Sequence, residues 1–277
     1  MRNLEGTFKG VRNLDIYYQA WVPEEDIKGS VIIVHGLGEH SGRYANAVNY
    51  LVPRGYAIFG FDHIGHGKSP GQREFVETFE DFTDTLTKYL KMVENWHPEK
   101  PIFLLGHSMG GLISTYYLLD YSKRFAGAII SAPAITVPEN ITQGTITIAK
   151  ILSKLAPRMG MMQLDANDIS RDPEVVRIYM NDPLVFTGKT PVRLMAEMLK
   201  AMIEVNAGME KITLPLLLLH GSDDKLAPSI GSENLYQRAG SVDKTLKIYD
   251  GLYHEVLNEP EHEQVLDEIA SWLEAHI

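Results

Sequence analysis

Residues 101–114 read PIFLLGHSMGGLIS. An apolar run enters Gly106, passes through His107, Ser108 and Met109, meets two more glycines and resumes as an apolar helical pattern. Residues 106–110 fit G-x-S-x-G, and the place between a buried strand and a helix is the setting of a nucleophile elbow. In such a turn the serine takes a strained backbone conformation, and Gly106 and Gly110 leave room for neighbouring main chain. The hydroxyl is thereby exposed at the carboxyl end of a sheet, and the helix that follows directs its amide dipoles at developing negative charge.

The segments around this turn repeat its strand-then-helix rhythm. Residues 30–34, 56–61, 101–106, 126–132, 214–221 and 244–250 are short and mostly continuously apolar, as parallel strands covered on both faces are. Helix-compatible segments lie at 43–53, 78–96, 108–121, 230–239 and 260–275. The alternation predicts an open, mostly parallel, doubly wound α/β sheet. Residues 14–22, LDIYYQAWV, predict an antiparallel edge strand with one face toward water. About eighty residues separate the strand ending near Ala132 from the one at 214, far more than a crossover helix needs. The chain therefore divides into a core, 1–134 and 209–277, and an inserted, mostly helical cap, 135–208. Eight of the eleven methionines fall in 159–209, which suits irregular packing and equally a deformable apolar wall for an acyl chain.

A serine hydroxyl needs a histidine base, and the histidine needs a carboxylate to fix its tautomer. In the order serine, acid, histidine, the acid falls in HGSDDKLAP (220–228) and the histidine is His254 in GLYHEV (251–256). Spacing alone does not choose between Asp223 and Asp224. The glycine-bearing loop from His35 in HGLGEH supplies a second backbone donor, so the oxyanion hole would be the N–H groups of Leu37 and Met109. That loop has neither of the phosphate-cradling glycine spacings. Asp62, His63 and His66 crowd together but lack a trusted metal-ligand pattern, and they read as a structured loop.

Composition narrows the function. A net charge of −10 and the lack of any Lys/Arg-rich run argue against nucleic acid and against a polybasic hold on lipid; a neutral or cationic small substrate fits better. There are no cysteines, so disulfides, thiolate metal sites and a cysteine nucleophile are excluded. No apolar run approaches the ~20 residues of a membrane span, and the amino-terminal stretch has no apolar signal region, which predicts a cytoplasmic protein, at most peripheral at membranes.

Taken together, HGLGEHSGRY (35–44), FDHIGHGKSPGQR (61–73), LLGHSMGG (104–111), YMNDPL (179–184), GSDDKLAP (221–228) and DKTLKIYDGLYHEVLNE (243–259) resemble the monoacylglycerol lipase and lysophospholipase-like branch of the α/β-hydrolases. The resemblance implies that Asp224 is the acid and Leu37 and Met109 the oxyanion donors. It also implies that Glu39, Arg43, His107 and Tyr179 shape a polar pocket for a glycerol head. The implied reaction is hydrolysis of a monoacylglycerol to glycerol and fatty acid through an acyl-enzyme, with no metal or cofactor. A lysophospholipase or general carboxylesterase with the same triad is the alternative, and a non-catalytic lipid-binding relative a remote one. Each buried methylene is worth ~0.8 kcal/mol and a net hydrogen bond ~1 kcal/mol, so the chain should dominate affinity and the head discriminate. Besides the lipid substrate, transient contact of the cap with a membrane surface is the one partner expectation.

Overall fold

The computed structural model describes residues 1–137 and 142–277. Eight strands form one sheet: β1 (Arg2–Lys9), β2 (Asp15–Val22), β3 (Gly29–Val34), β4 (Tyr56–Phe61), β5 (Ile102–His107), β6 (Gly127–Ser131), β9 (Leu216–Gly221) and β10 (Lys244–Tyr249). They lie in the order β1-β2-β4-β3-β5-β6-β9-β10. The pairs β1–β2 and β2–β4 are antiparallel, and the remaining pairs are parallel. The strand at residues 15–22 is therefore not the sheet edge; β1 pairs along its whole length and takes that place. Only Phe8 of β1 is buried, so its sequence carries almost no alternation.

The apolar runs form strands because both faces are covered. Ile32, Val34, Phe59 and Leu104 pack into one layer with helices α2 (Glu80–Trp96) and α3 (Met109–Tyr121). Their strand neighbours Val31, Ile33, Ile58 and Phe103 pack into the other, against α1 (Ala45–Leu51) and α8 (His262–Glu274). Successive side chains of a strand point to opposite faces, so each run needs apolar residues at both parities. Burying such a side chain contributes about 1.5–3 kcal/mol. Helix α7 (Ile230–Arg238) follows β9 and adds Leu235 to the first layer.

Between β6 and β9 lie α4 (Gln143–Leu155), β7 (Gly160–Met162), α5 (Pro173–Asn181), β8 (Thr190–Pro191) and α6 (Val192–Gly208). β7 and β8 form a separate two-stranded sheet. Helix α6 buries Leu194, Met198, Ala201 and Val205 in the same layer as α3, so the end of this segment packs into the core.

Strand order places the site. β5 lies beside β3, with Gly106 opposite Val34, so the loops that follow these strands adjoin at the point where the chain reverses its direction of sheet growth. β10 lies beside β9, with Tyr249 opposite Gly221, so the loops carrying Asp224 and His254 adjoin in the same way.

Candidate active site

Ser108 has φ 55° and ψ −120°, the strained turn that the motif predicts. Its neighbours explain why glycine flanks it. A Cβ on Gly110 would stand 1.9 Å from the carbonyl oxygen of Val34, and one on Gly106 would stand 2.3 Å from Ser114 Oγ. The elbow is pinned by the Ser108 N–H donating to Ser131 O at 3.0 Å, and Ser108 O accepts from Ala134 and Leu112. The serine itself is only half-buried.

His254 Nδ1 donates to Asp224 Oδ2 at 2.7 Å. Asp224 Oδ1 accepts from the N–H groups of Leu226 and Ala227 at 2.8 and 2.9 Å. Burial alone would raise the pKa of this carboxyl, but hydrogen bonds from His220 and His254, the imidazole's charge and the Ala227 N–H hold it well below the usual carboxylate range. Asp223, one residue earlier, is exposed and accepts from Ser222 Oγ. The structure thus separates two aspartates that spacing does not. Gly221 makes the approach of the two loops feasible, since a Cβ there would meet Leu252 O at 2.2 Å and Tyr253 O at 2.3 Å.

Ser108 and His254 share a cavity of about 460 Å³ with Leu37 and Met109, within the size range of small-molecule sites. Met161, Met162, Met195, Met198 and Met202 form much of its wall, with Leu152, Leu164 and Leu226. The Leu37 N–H has no protein acceptor among the described residues, and Met109 opens α3, where N–H groups lack intrahelical partners.

Glu39, Arg43, His107 and Tyr179 are brought together beside this cavity, yet none of them lines it. Arg43 donates to Glu39 Oε2 at 3.1 Å and to both oxygens of Glu255, at 2.5 and 2.8 Å. All three side chains are at most 7% exposed. Glu39 also accepts from Tyr44 OH and from the Gly36 N–H, which fixes the turn leading to Leu37. One cation facing two carboxylates leaves them unequal: burial raises the pKa of Glu39, whereas at Glu255 burial is overcome by the charge and hydrogen bonds of Arg43 with help from His107 and Asn258, which together hold it low. Tyr179 lies under the Arg43 guanidinium, 4.6 Å from ring centroid to Cζ. The His107 ring sits 4.7 Å from that of His254, with Nδ1 3.2 Å from Ser131 Oγ; burial, then the His254 charge, pushes its pKa down to about 3. It is a neutral ring packed behind that of His254.

Around the loop at 61–73, His35 Nδ1 donates to Gly36 O, His63 Nε2 to His35 O and His66 Nδ1 to Ile64 O. Burial pushes His63 down to about 3 and His66 to about 4. These imidazoles are neutral pins of the loop, with Asp62 accepting from Ser41 and the Lys68 N–H.

Three buried groups escaped the sequence reading. His220 touches Asp224, Glu255 holds Arg43, and Glu259, fully buried, accepts from the Tyr253 and Arg171 N–H groups beside His254. Their partners lie up to 212 positions away in sequence, and only the HG of residues 220–221, set before the aspartate pair, was a local signal.

Known proteins share this fold. A model of the family described as serine aminopeptidase, S33 matches residues 25–261. The monoacylglycerol lipase of Mycolicibacterium smegmatis is 39% identical over 277 residues, which cover 99% of this chain and 98% of that one. The Rattus norvegicus monoglyceride lipase is 36% identical over 265 residues, 95% of this chain and 88% of its own. The crystal structure of the Paleococcus ferrophilus monoacylglycerol lipase matches with a TM-score of 0.85 at 31% identity, over 95% of this chain and 99% of that one. Similarity of this extent, in sequence and in structure alike, makes the chain a member of the serine aminopeptidase S33 family, on the monoacylglycerol lipase branch of the α/β-hydrolases.

Proposed function

We propose that the protein hydrolyses the ester bond of long-chain monoacylglycerols, giving glycerol and free fatty acid. One observation carries the reading: a serine held at φ 55° opens on an apolar cavity that it shares with a histidine whose other nitrogen is fixed by a buried carboxylate. Ser108 Oγ attacks the ester carbonyl while His254 Nε2 takes its proton, and Asp224 keeps the ring in the tautomer that leaves Nε2 free. The N–H groups of Leu37 and Met109 donate to the oxyanion; one such donor is worth roughly 10² to 10³ in turnover. His254 passes its proton to the departing glycerol oxygen, and water then repeats the sequence on the acyl-enzyme.

The lining favours an uncharged ester over the other substrates considered. Among the described residues no carboxylate lines the cavity, so an amino-terminal ammonium finds no counter-charge there, and a phosphocholine head finds no partner for its charges. Residues 135–208 serve as the cap, and five cavity methionines from it meet the acyl chain. Ile148, Ile151 and Leu155, at 59, 50 and 79% exposure, lie on one face of α4, which suits transient contact with a lipid surface.

Turnover of monoolein, diolein, triolein, lysophosphatidylcholine, a short nitrophenyl ester and an aminoacyl nitroanilide tests the reading. Preference for the monoacylglycerol is the expected result. Equal rates on lysophosphatidylcholine, or turnover of the nitroanilide alone, would refute it.

A further inference from the structure

The acid of the triad has a second imidazole on it. His220, the penultimate residue of β9, is fully buried, and its Nε2 lies 3.1 Å from Asp224 Oδ2 and 2.8 Å from Ala227 O. A carbonyl oxygen only accepts, so the proton of this ring is on Nε2, and Oδ2 receives the same N–H. That oxygen is also the one that accepts from His254 Nδ1. The far nitrogen of His220 is anchored 2.8 Å from Ser232 Oγ on α7, which leaves the ring no freedom to turn away.

We infer that His220 is a positioning residue for catalysis: its Nε2–H fixes the Asp224 carboxylate and draws charge from the oxygen that binds His254. The inference rests on the triad proposed above. With two donors on Oδ2, the carboxylate stabilises the imidazolium of His254 less than with one, and the base gives up its proton more readily to the leaving group. The other titratable groups around His254 are His107 from β5, Glu255 paired with Arg43, and Glu259, which pairs with Arg171 and accepts from the Tyr253 N–H. None of them touches His220, so a substitution there reaches His254 through Asp224 and its loop.

Three variants separate the hydrogen bond from the packing. In His220→Gln the amide nitrogen reaches the Nε2 position and can donate to both oxygens. In His220→Asn the amide ends near the Nδ1 position, meets Ser232 and falls short of Asp224. In His220→Leu both contacts are gone. The readout is kcat/KM for a soluble monoacylglycerol against pH, with the thermal unfolding midpoint of each variant as a check of folding. The acid limb should move upward by about one pH unit in the Asn and Leu variants, a loss that approaches tenfold at pH below the limb and fades above it. The Gln variant should keep the wild-type limb. An unmoved limb in folded Asn, or the same shift in Gln as in Leu, overturns the inference. If Leu does not fold, the Asn and Gln pair decides. Asp224→Asn is measured in parallel. If it is inactive while the His220 variants behave as wild type, the positioning role alone is lost; if it stays active, the triad falls and this inference with it.

Discussion

Replacing Arg43 with methionine separates two roles for the cluster beside the cavity. In the structure the guanidinium makes three hydrogen bonds to Glu39 and Glu255, and all three side chains are at least nine-tenths buried. Methionine fills similar space and leaves two carboxylates without their cation. Breaking a buried pair in this way costs about 3–5 kcal/mol, because the remaining charge is uncompensated. For a chain of this size that corresponds to a fall in unfolding midpoint of about 6–10 °C, at ~2 °C per kcal/mol. The loss depends on pH. Wild-type Glu255 is held below its ordinary pKa, so its stabilisation is present above the unfolded value and fades as pH falls. In the variant, burial raises both carboxyls, so their penalty is absent below the unfolded value and grows as pH rises. Both effects make the deficit larger at pH 8 than at pH 5, as read by calorimetry or circular dichroism. Adding Glu39→Gln and Glu255→Gln should recover most of it. The cluster also ties the Gly36 turn to the residue after His254, so kcat/KM should fall alike for monoacylglycerols and simple alkyl esters. An unchanged midpoint, with KM raised only for glycerol esters, would refute the structural role and return these residues to head-group binding.

Ser108→Ala should lower kcat about a million-fold and abolish labelling by a fluorophosphonate probe while keeping the fold; turnover near wild type would remove the serine from the mechanism. Asp223→Asn should leave activity intact, since Asp223 is exposed and its side chain is bonded only to Ser222 among the described residues; loss comparable to that of Asp224→Asn would reassign the acid. Glu74 is 2% exposed, and burial, opposed by a hydrogen bond with Thr190, pushes its carboxyl up to about 7. A raised pKa gives stability below the unfolded value that is lost as pH passes 7, so Glu74→Gln should match wild type near pH 5 and exceed it by about 3 kcal/mol at pH 8.5; equal unfolding midpoints at both pH values would reject this. Met195→Ser and Met202→Ser put polar groups in the cavity wall and should cost about tenfold on palmitoyl esters with little change on butyrate, measured as kcat/KM; equal losses on both would mean the acyl chain lies elsewhere.

What could be read from the sequence follows from how far each feature depends on distant residues. The elbow is a compact pattern: Gly106 is required by the turn that follows it and Gly110 by the adjoining strand, and the G-x-S-x-G spacing records both. The parallel strands are legible because burial on both faces demands unbroken apolar runs. β1 is not, since seven of its eight residues face solvent at least in part and its place is set by pairing with β2. The same limit applies to the acid. Asp223 and Asp224 have the same chemistry and nearly the same position, so spacing leaves both open; the family resemblance points to Asp224, and the direction of the side chains in the folded loop is what sets the two apart physically. Glu255 reads as one more surface acid in a chain rich in them, because the arginine that buries it stands on the other side of the sheet order.

The insert between β6 and β9 does two kinds of work with two kinds of residue. Its 169–186 stretch is bonded to both loops of the site: Ile169 O accepts from the Glu255 N–H, Asp182 accepts from His40 Nε2, and the Phe186 N–H donates to Gly38 O. Gly38 has φ 73°, and a Cβ there would stand 2.8 Å from Phe186 O, so the loop after β3 and this stretch fit only as one piece. Those bonds are directional, and each has a single partner geometry. The wall supplied by α4, β7 and α6 is instead apolar and rich in methionine, and it touches the site through contacts that have no preferred direction. Position of the proposed reacting groups and breadth of the cavity are therefore set by separate parts of one insertion. On the proposed mechanism, a sequence change in the wall alters what enters, while the polar stretch holds the loops that carry Leu37 and His254.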